Sequence, residues 1–212
     1  MKILVIRFSS IGDIVLTSPV VRCLKQQLNN SEIHYFTKKS FVSLLQNNPH
    51  IDKVYSFEKN VDEVLPELKK ENYDWVIDLH HNLRSMQVKR ALGKPSKSLN
   101  KLNIEKWLLV NFKINLLPNK HIVDRYFETV AHLGVKNDLK GMEFFIDHDD
   151  LVSVSSLPQE FQTGYVAFVI GAKHNTKKLP TEKIISICKK LNRPIILVGG
   201  KEDFEEGEKI AA

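Results

Sequence analysis

Short apolar runs alternate with longer amphipathic ones along the chain. KILVI (2–6), EIHYF (32–36), KVYSF (53–57) and DWVIDL (74–79) have the length and bounding polar residues of buried strands. TSPVVRCLKQQL (17–28) and NVDEVLPELKKEN (60–72) carry apolar residues at helical spacing, the second in spite of Pro66. LNIEKWLLVNF (102–112) and HIVDRYFETVAHLG (121–134) predict two further helices, the latter closed by Gly134. Strand alternating with helix implies a mainly parallel sheet covered on both faces.

The rhythm restarts after DHDDLVSVSSLPQEFQTG (147–164), a stretch rich in Asp, Ser and turn residues. YVAFVI (165–170) and PIILVGG (194–200) predict two strands with the helix TEKIISICKKL (181–191) between them, and KEDFEEGEKIAA opens another helix. Two strands cannot bury both faces of a sheet. The expected organisation is α/β: a Rossmann-like parallel-sheet domain over residues 1–155, then the start of a second, incomplete Rossmann-like domain over 156–212.

Composition narrows the class. With 42% hydrophobic and 26% charged residues, the 212-residue chain can bury a sizeable core. Cys23 and Cys188 fall in predicted helices, fit no metal spacing and suggest no disulfide framework, so both are expected to be buried in a reducing compartment. No stretch approaches the roughly 20 apolar residues of a membrane span, and KILVI is too short for a signal peptide; the cytoplasm is the expected location. Net charge is +6, but residues 84–125 hold ten Lys/Arg against Glu105 and Asp124. That stretch is either a solvated helical face or a surface for an anionic partner.

Ligands of parallel α/β sheets collect at the C-terminal ends of the strands, which directs attention to the βα loops. The first, RFSSIGDIVLTSP (7–19), has one glycine, Gly12, where a dinucleotide fold places three, and EIHYF ends without the acid that would hold a ribose. A nicotinamide-dependent oxidoreductase is disfavoured on both counts. Ser9, Ser10 and Gly12 instead offer donors and room for an anion at a helix start, and Asp13 is either a helix cap or a chemical group.

The loop DLHHNLRS (78–85) brings His80, His81, Asn82 and Arg84 into one turn. Adjacent histidines without a third spaced ligand make a poor metal site; hydrogen bonding to a polyhydroxylated ligand, with Arg84 on a carboxylate or phosphate, suits the residues better. The alternative is a polar helix N-terminus. In IGAKHNTKKLP (170–180), Lys173, Lys177 and Lys178 gather near Thr176, chemistry for an anionic leaving group without the order of a P-loop. DHDD (147–150) imitates a metal-binding acidic clamp but reads as a solvated linker. Nucleic acid is disfavoured, since no reading motif is present and the basic stretch has few aromatics to stack bases.

Four stretches, ILVIRFSSIGDIVLTSPVVRCLK, YDWVIDLHHNLRS, HIVDRYFETVAHLG and GAKHNTKKLPTEKI, resemble in order and spacing the ADP-heptose:lipopolysaccharide heptosyltransferases, a glycosyltransferase family of two-Rossmann-domain GT-B architecture. The resemblance implies an inverting, metal-independent transfer without a cofactor, from ADP-heptose or another nucleotide sugar to the lipopolysaccharide inner core. It implies Asp13 as general base on the acceptor hydroxyl. Lys177 and Thr176, facing Ser9, Ser10 and Gly12, would meet the donor diphosphate, and His80, Asn82, Arg84, His121 and Arg125 would serve the acceptor. Location at the inner face of the inner membrane follows, with a peripheral, electrostatic membrane contact. The family's D-S/T-G-x-x-H signature does not occur before Ala212. The 212 residues are accordingly expected to be a fragment, inactive alone. A non-catalytic module binding anionic glycolipid is the competing reading.

Overall fold

The computed structural model describes residues 1–172 and 174–212, so Lys173 lies outside the described residues. Residues Met1–Asp147 form one compact unit and His148–Ala212 another. The first contains the parallel strands β1 (Lys2–Ile6), β2 (Glu32–Lys38), β3 (Lys53–Phe57), β4 (Trp75–Asp78) and β5 (Ser96–Ser98), in spatial order β3-β2-β1-β4-β5. Its helices are α1 (Ile11–Val15), α2 (Ser18–Gln27), α3 (Leu65–Lys70), α4 (Leu83–Leu92), α5 (Asn103–Phe112) and α6 (Ile122–Phe127).

Strand β1 is central because it is apolar on both faces: Ile3, Leu4, Val5 and Ile6 are all fully buried. Alternation along the strand sends them into two layers. Ile3 and Val5 pack with Val20, Val21 and Leu24 of α2 and Tyr126 and Phe127 of α6. Leu4 and Ile6 pack on the opposite face, among Phe36, Tyr55, Phe57, Leu68 of α3 and Val88 of α4. The strand order reverses at β1 and β4, and this switch point opens a crevice at their C-terminal ends.

In several places the backbone departs from the sequence pattern. The helix expected over 60–72 is a 3₁₀ turn at Val61–Glu63 followed by α3, whose first turn accommodates Pro66. The one expected over 121–134 ends at Phe127 and gives way to a 3₁₀ turn, Ala131–Leu133, closed by Gly134 at φ 77°. Strand β5, three polar residues at the sheet edge, gives no hydrophobic signal. Cys23 is buried as expected, but Cys188 is only half-buried.

The second unit contains α7 (Gln159–Gln162), β6 (Val166–Val169), α8 (Thr181–Cys188), β7 (Ile195–Val198) and α9 (Phe204–Ala211). Its two strands pair in parallel. Among its described residues only Ile170 and Ile184 are buried hydrophobics, as expected where two strands have one helical crossover to cover them.

One buried acid organises the end of β4. Asp78 is fully buried; its Oδ1 accepts from the His80 and His81 N–H groups at 3.0 and 2.7 Å, and its Oδ2 accepts from Ser85 Oγ at 2.8 Å and pairs with Lys89 Nζ at 2.9 Å. Removing one partner of a buried pair leaves the other uncompensated. Asp78→Ala should therefore destabilise the first unit by about 3–5 kcal/mol in urea unfolding, whereas a loss below about 1 kcal/mol would show that water replaces the carboxylate.

Candidate active site

The loop leaving β1 is anchored by one aromatic residue and one cation. Phe8 is buried, with ring centroids 5.3 Å from Phe36, 4.9 Å from Phe57 and 5.1 Å from His80. Arg7 spreads its guanidinium over three acceptors: Nε donates to Ser9 O at 2.8 Å, Nη1 to Leu79 O at 2.6 Å, and Nη2 lies 2.7 Å from Asp13 Oδ2. It thereby ties the loop after β1 to the loop after β4 across the switch point. The Ser9–Ser10 peptide bond within this turn is cis.

Asp13 is not the cap of α2 but the third residue of α1, which Ser10 caps. Its carboxylate reaches back, so that Oδ2 accepts from Ser10 N at 3.3 Å and Ser10 Oγ at 2.9 Å besides pairing with Arg7. Oδ1 accepts no hydrogen bond among the described residues. Burial works to raise the carboxyl's pKa, but the Arg7 charge and the bonds from Ser10 and Arg7 outweigh it and hold the group below its ordinary value. Asp13 is thus an ionised carboxylate with one oxygen saturated and the other open. Beside it, a Cβ built on Gly12 would meet nothing within 4 Å.

A pocket of about 300 Å³ opens on this carboxylate, lined by Arg7, Asp13, Leu99, Lys101, Lys106, Ile122, Arg125 and Tyr126. Arg125 donates from Nη2 to Asn100 O. Tyr126 is buried, and its hydroxyl has no partner among the described residues. His80 also buries an unpartnered Nδ1. Burial first, then the nearby charges of Arg7 and Lys101, push its imidazole down to about 4, so it is neutral at physiological pH.

The remaining residues expected on the acceptor side lie elsewhere or have local duties. Asn82 caps α4, accepting from Ser85 N at 2.9 Å. His121 caps α6 through Nδ1, which accepts from Val123 N at 3.3 Å. Arg84 sits over the Phe57 ring, 5.9 Å from its centroid, outside the residues lining the pocket. His81 Nδ1 lies 2.5 Å from Leu99 O. Lys101 and Lys106, neighbouring lysines whose side chains the sequence could not place, line the pocket, whereas Arg7 and Tyr126 are the polar site residues that reading the chain alone missed.

In the second unit the loop after β6 forms a 3₁₀ turn at Asn175–Lys177. Thr176 and Lys177 are exposed, and Lys177 makes no ion pair among the described residues. Lys178 instead pairs with the buried Asp203 and stands 3.7 Å from Glu206. The loop borders a cavity of about 680 Å³ at the C-terminal ends of β6 and β7, lined by Gly171, Asn175, Lys178, Gly199, Gly200 and Asp203 among others.

A third cluster, Glu32, His34 and Glu71, brings its ligand atoms within 4.8 Å of one another at the opposite end of the strands. Lys2 Nζ already stands 2.7 Å from Glu71 and 3.2 Å from Glu32, and Lys53 Nζ 2.8 Å from Glu71. Ammonium groups hold these acids, which makes the cluster an ion-pair network.

A five-stranded parallel sheet of this order and a second parallel βαβ unit are Rossmann-like, and the solved glycosyltransferases that the chain matches place them in the GT-B fold class. A glycosyl transferase family 9 structure from Veillonella parvula matches with a TM-score of 0.74 at 22% identity, covering 99% of this chain and 65% of that one. The E. coli heptosyltransferase WaaC with ADP matches with a TM-score of 0.71 at 19% identity, covering 100% of this chain and 71% of that one. The model of Glycosyltransferase family 9 (heptosyltransferase) matches residues 63–212, and the chain belongs to that family. It is 28% identical over 208 residues to lipopolysaccharide heptosyltransferase 1 of Campylobacter coli, covering 89% of this chain and 60% of that protein. The chain thus spans about 60% of the length of this curated relative.

Two titrations test this electrostatic picture. The His80 ring should show no protonation between about pH 5.5 and 8 by NMR; a midpoint near 6.5 would mean that the ring is solvated. In Arg7→Met the pKa of the Asp13 carboxyl should rise, because burial still acts while the opposing cation is gone. An unmoved carboxyl resonance titration would show that the ion pair does not govern Asp13.

Proposed function

We propose that the protein is an inverting, metal-independent glycosyltransferase that moves a heptose from ADP-heptose to the inner core of lipopolysaccharide. The observation that carries this reading is the half-saturated Asp13 carboxylate, open through Oδ1 at a cationic pocket. In the reaction the acceptor hydroxyl oxygen bonds to the anomeric carbon as the carbon–oxygen bond to the diphosphate breaks. The bonding pair leaves with ADP, and the hydroxyl proton passes to Asp13. A carboxylate held this acidic is a weak base toward a free alcohol. It serves because the hydroxyl becomes strongly acidic as its oxygen bonds to carbon, so proton transfer runs late.

Negative charge grows on the leaving diphosphate, and Lys177 is the group assigned to meet it, with Thr176 beside it. Lys178 is less suited, being paired to Asp203. Ser10 gives both its donors to Asp13, so its part is to hold the base, leaving Ser9 and the open space at Gly12 for the donor. Arg125, Lys101 and Lys106 suit the acidic groups of an inner-core acceptor. The reading agrees with a curated relative named lipopolysaccharide heptosyltransferase 1 and a structural neighbour solved with ADP.

Asp13→Asn should lower kcat by about 10²- to 10⁴-fold with acceptor affinity largely retained. Unchanged turnover would remove Asp13 as the base. Lys177→Ala should raise the donor KM; an effect confined to the acceptor KM would place the diphosphate elsewhere. Acceptor binding with no turnover by the wild-type protein would favour a non-catalytic glycolipid-binding module.

A further inference from the structure

Helix α5 has the composition of a buried helix and the exposure of a surface one. Ile104, Trp107, Leu108, Leu109, Val110 and Phe112 are apolar, yet no residue of the helix is buried and none joins either hydrophobic core cluster. Ile104 is 74% exposed, Trp107 56% and Val110 68%. The exposure continues beyond the helix through Ile114 and Leu116. Trp107 and Phe112 meet edge-on, with ring centroids 5.3 Å apart, and hold an aromatic pair at the surface. A helix apolar around most of its circumference is ordinarily covered, and contiguous apolar surface of this kind marks an interaction site.

Charge identifies what covers it. Lys101, Lys106, Lys113 and Lys120 punctuate the same stretch, within the region of ten Lys/Arg and two acids. Of those ten cations, only Lys89 and Lys120 meet carboxylates among the described residues. An apolar protein groove would satisfy Ile104 and Trp107 but strand the lysines. An anionic bilayer satisfies both, offering acyl chains to the apolar residues, lipid phosphates to the ammonium groups, and the interfacial zone that tryptophan prefers. No described helix is long and apolar enough to cross a membrane, so α5 would lie in the interface. Lys101 and Lys106 also line the Asp13 pocket, which puts the pocket at the rim of this surface.

We infer that α5 and the segment to Leu116 form a wedge that inserts its apolar side chains among the headgroups of an anionic membrane. The contact is more than the peripheral, electrostatic one that the family resemblance implies. It requires a lipid surface and no transfer reaction, so it stands or falls separately from the proposed function.

The test uses the 212-residue chain and vesicles of phosphatidylethanolamine with phosphatidylglycerol, against neutral phosphatidylcholine vesicles. Sedimentation should show binding to the anionic vesicles, and lipids brominated in the acyl chain should quench Trp107. Trp75 is partly buried against His132, ring centroids 4.2 Å apart, and serves as the internal control. Combining Ile104→Ser, Trp107→Ser and Val110→Ser should lower partitioning by at least about tenfold. These side chains lie outside the core clusters, so the helical signal in circular dichroism should be kept. Failure to bind anionic vesicles, or binding without quenching of Trp107, would overturn the inference. So would a wild-type dimer that the triple variant dissolves with lipid binding unchanged, since a second copy would then cover the helix.

Discussion

The arrangement of the first unit turns on the three-way reach of the Arg7 guanidinium. It stands just after the most buried strand of the sheet, where the chain must leave a dry core and enter an open crevice. A planar fork satisfies the Ser9 and Leu79 carbonyls and the Asp13 carboxylate simultaneously, which a lysine ammonium on a flexible stem would not do with the same directionality. Two loops that diverge at the switch point become one wall. The same contact decides the state of Asp13, which is ionised, saturated at Oδ2 and open at Oδ1. It also contributes to keeping His80 neutral.

The two ends of the sheet solve opposite electrostatic problems. At the N-terminal end, Lys2, Lys53, Glu32 and Glu71 neutralise one another. At the C-terminal end Arg7, Lys101, Lys106 and Arg125 surround one acid, Asp13. Surplus positive charge gathered in a crevice attracts anions and gives the pocket its character. The carboxylate does not cancel this field, because Arg7 is already committed to it.

The central strands were legible because burial on both faces demands continuous apolar runs, and KILVI can serve little else. Asp13 was legible through the S-S-I-G-D turn. Arg7 was not, although it lies six residues away, because the acceptor that fixes it across the crevice, Leu79 O, lies some seventy residues later and a basic residue at a strand end has no signature of its own. Asn82 and His121 were read as ligands, yet their side chains satisfy backbone N–H groups at helix starts, a local use that the same residue types serve equally well. Arg84 and Arg125 looked equivalent as basic positions. Only packing separates them, since one lies over Phe57 and the other lines the pocket. For α5 the apolar content predicted a helix correctly but could not reveal that neither core cluster takes it in.

The modest size of the Asp13 pocket suits the proposed transfer to a lipid-anchored acceptor if the protein works at a surface. About 300 Å³ lined by cations is a modest grip for a large anionic acceptor free in water. A protein already held on the membrane meets a lipid-anchored acceptor at the high effective concentration of a second, intramolecular-like contact, so a weak individual grip suffices. On the two proposals, cations would serve lipid phosphates along α5 and acceptor acids at the pocket, and Lys101 and Lys106 stand where the two meet. A deep, tightly closing pocket would slow release of a product that remains tethered beside it. An open one leaves the carboxylate to be positioned by Arg7, and under the proposed membrane contact the bilayer would position the acceptor.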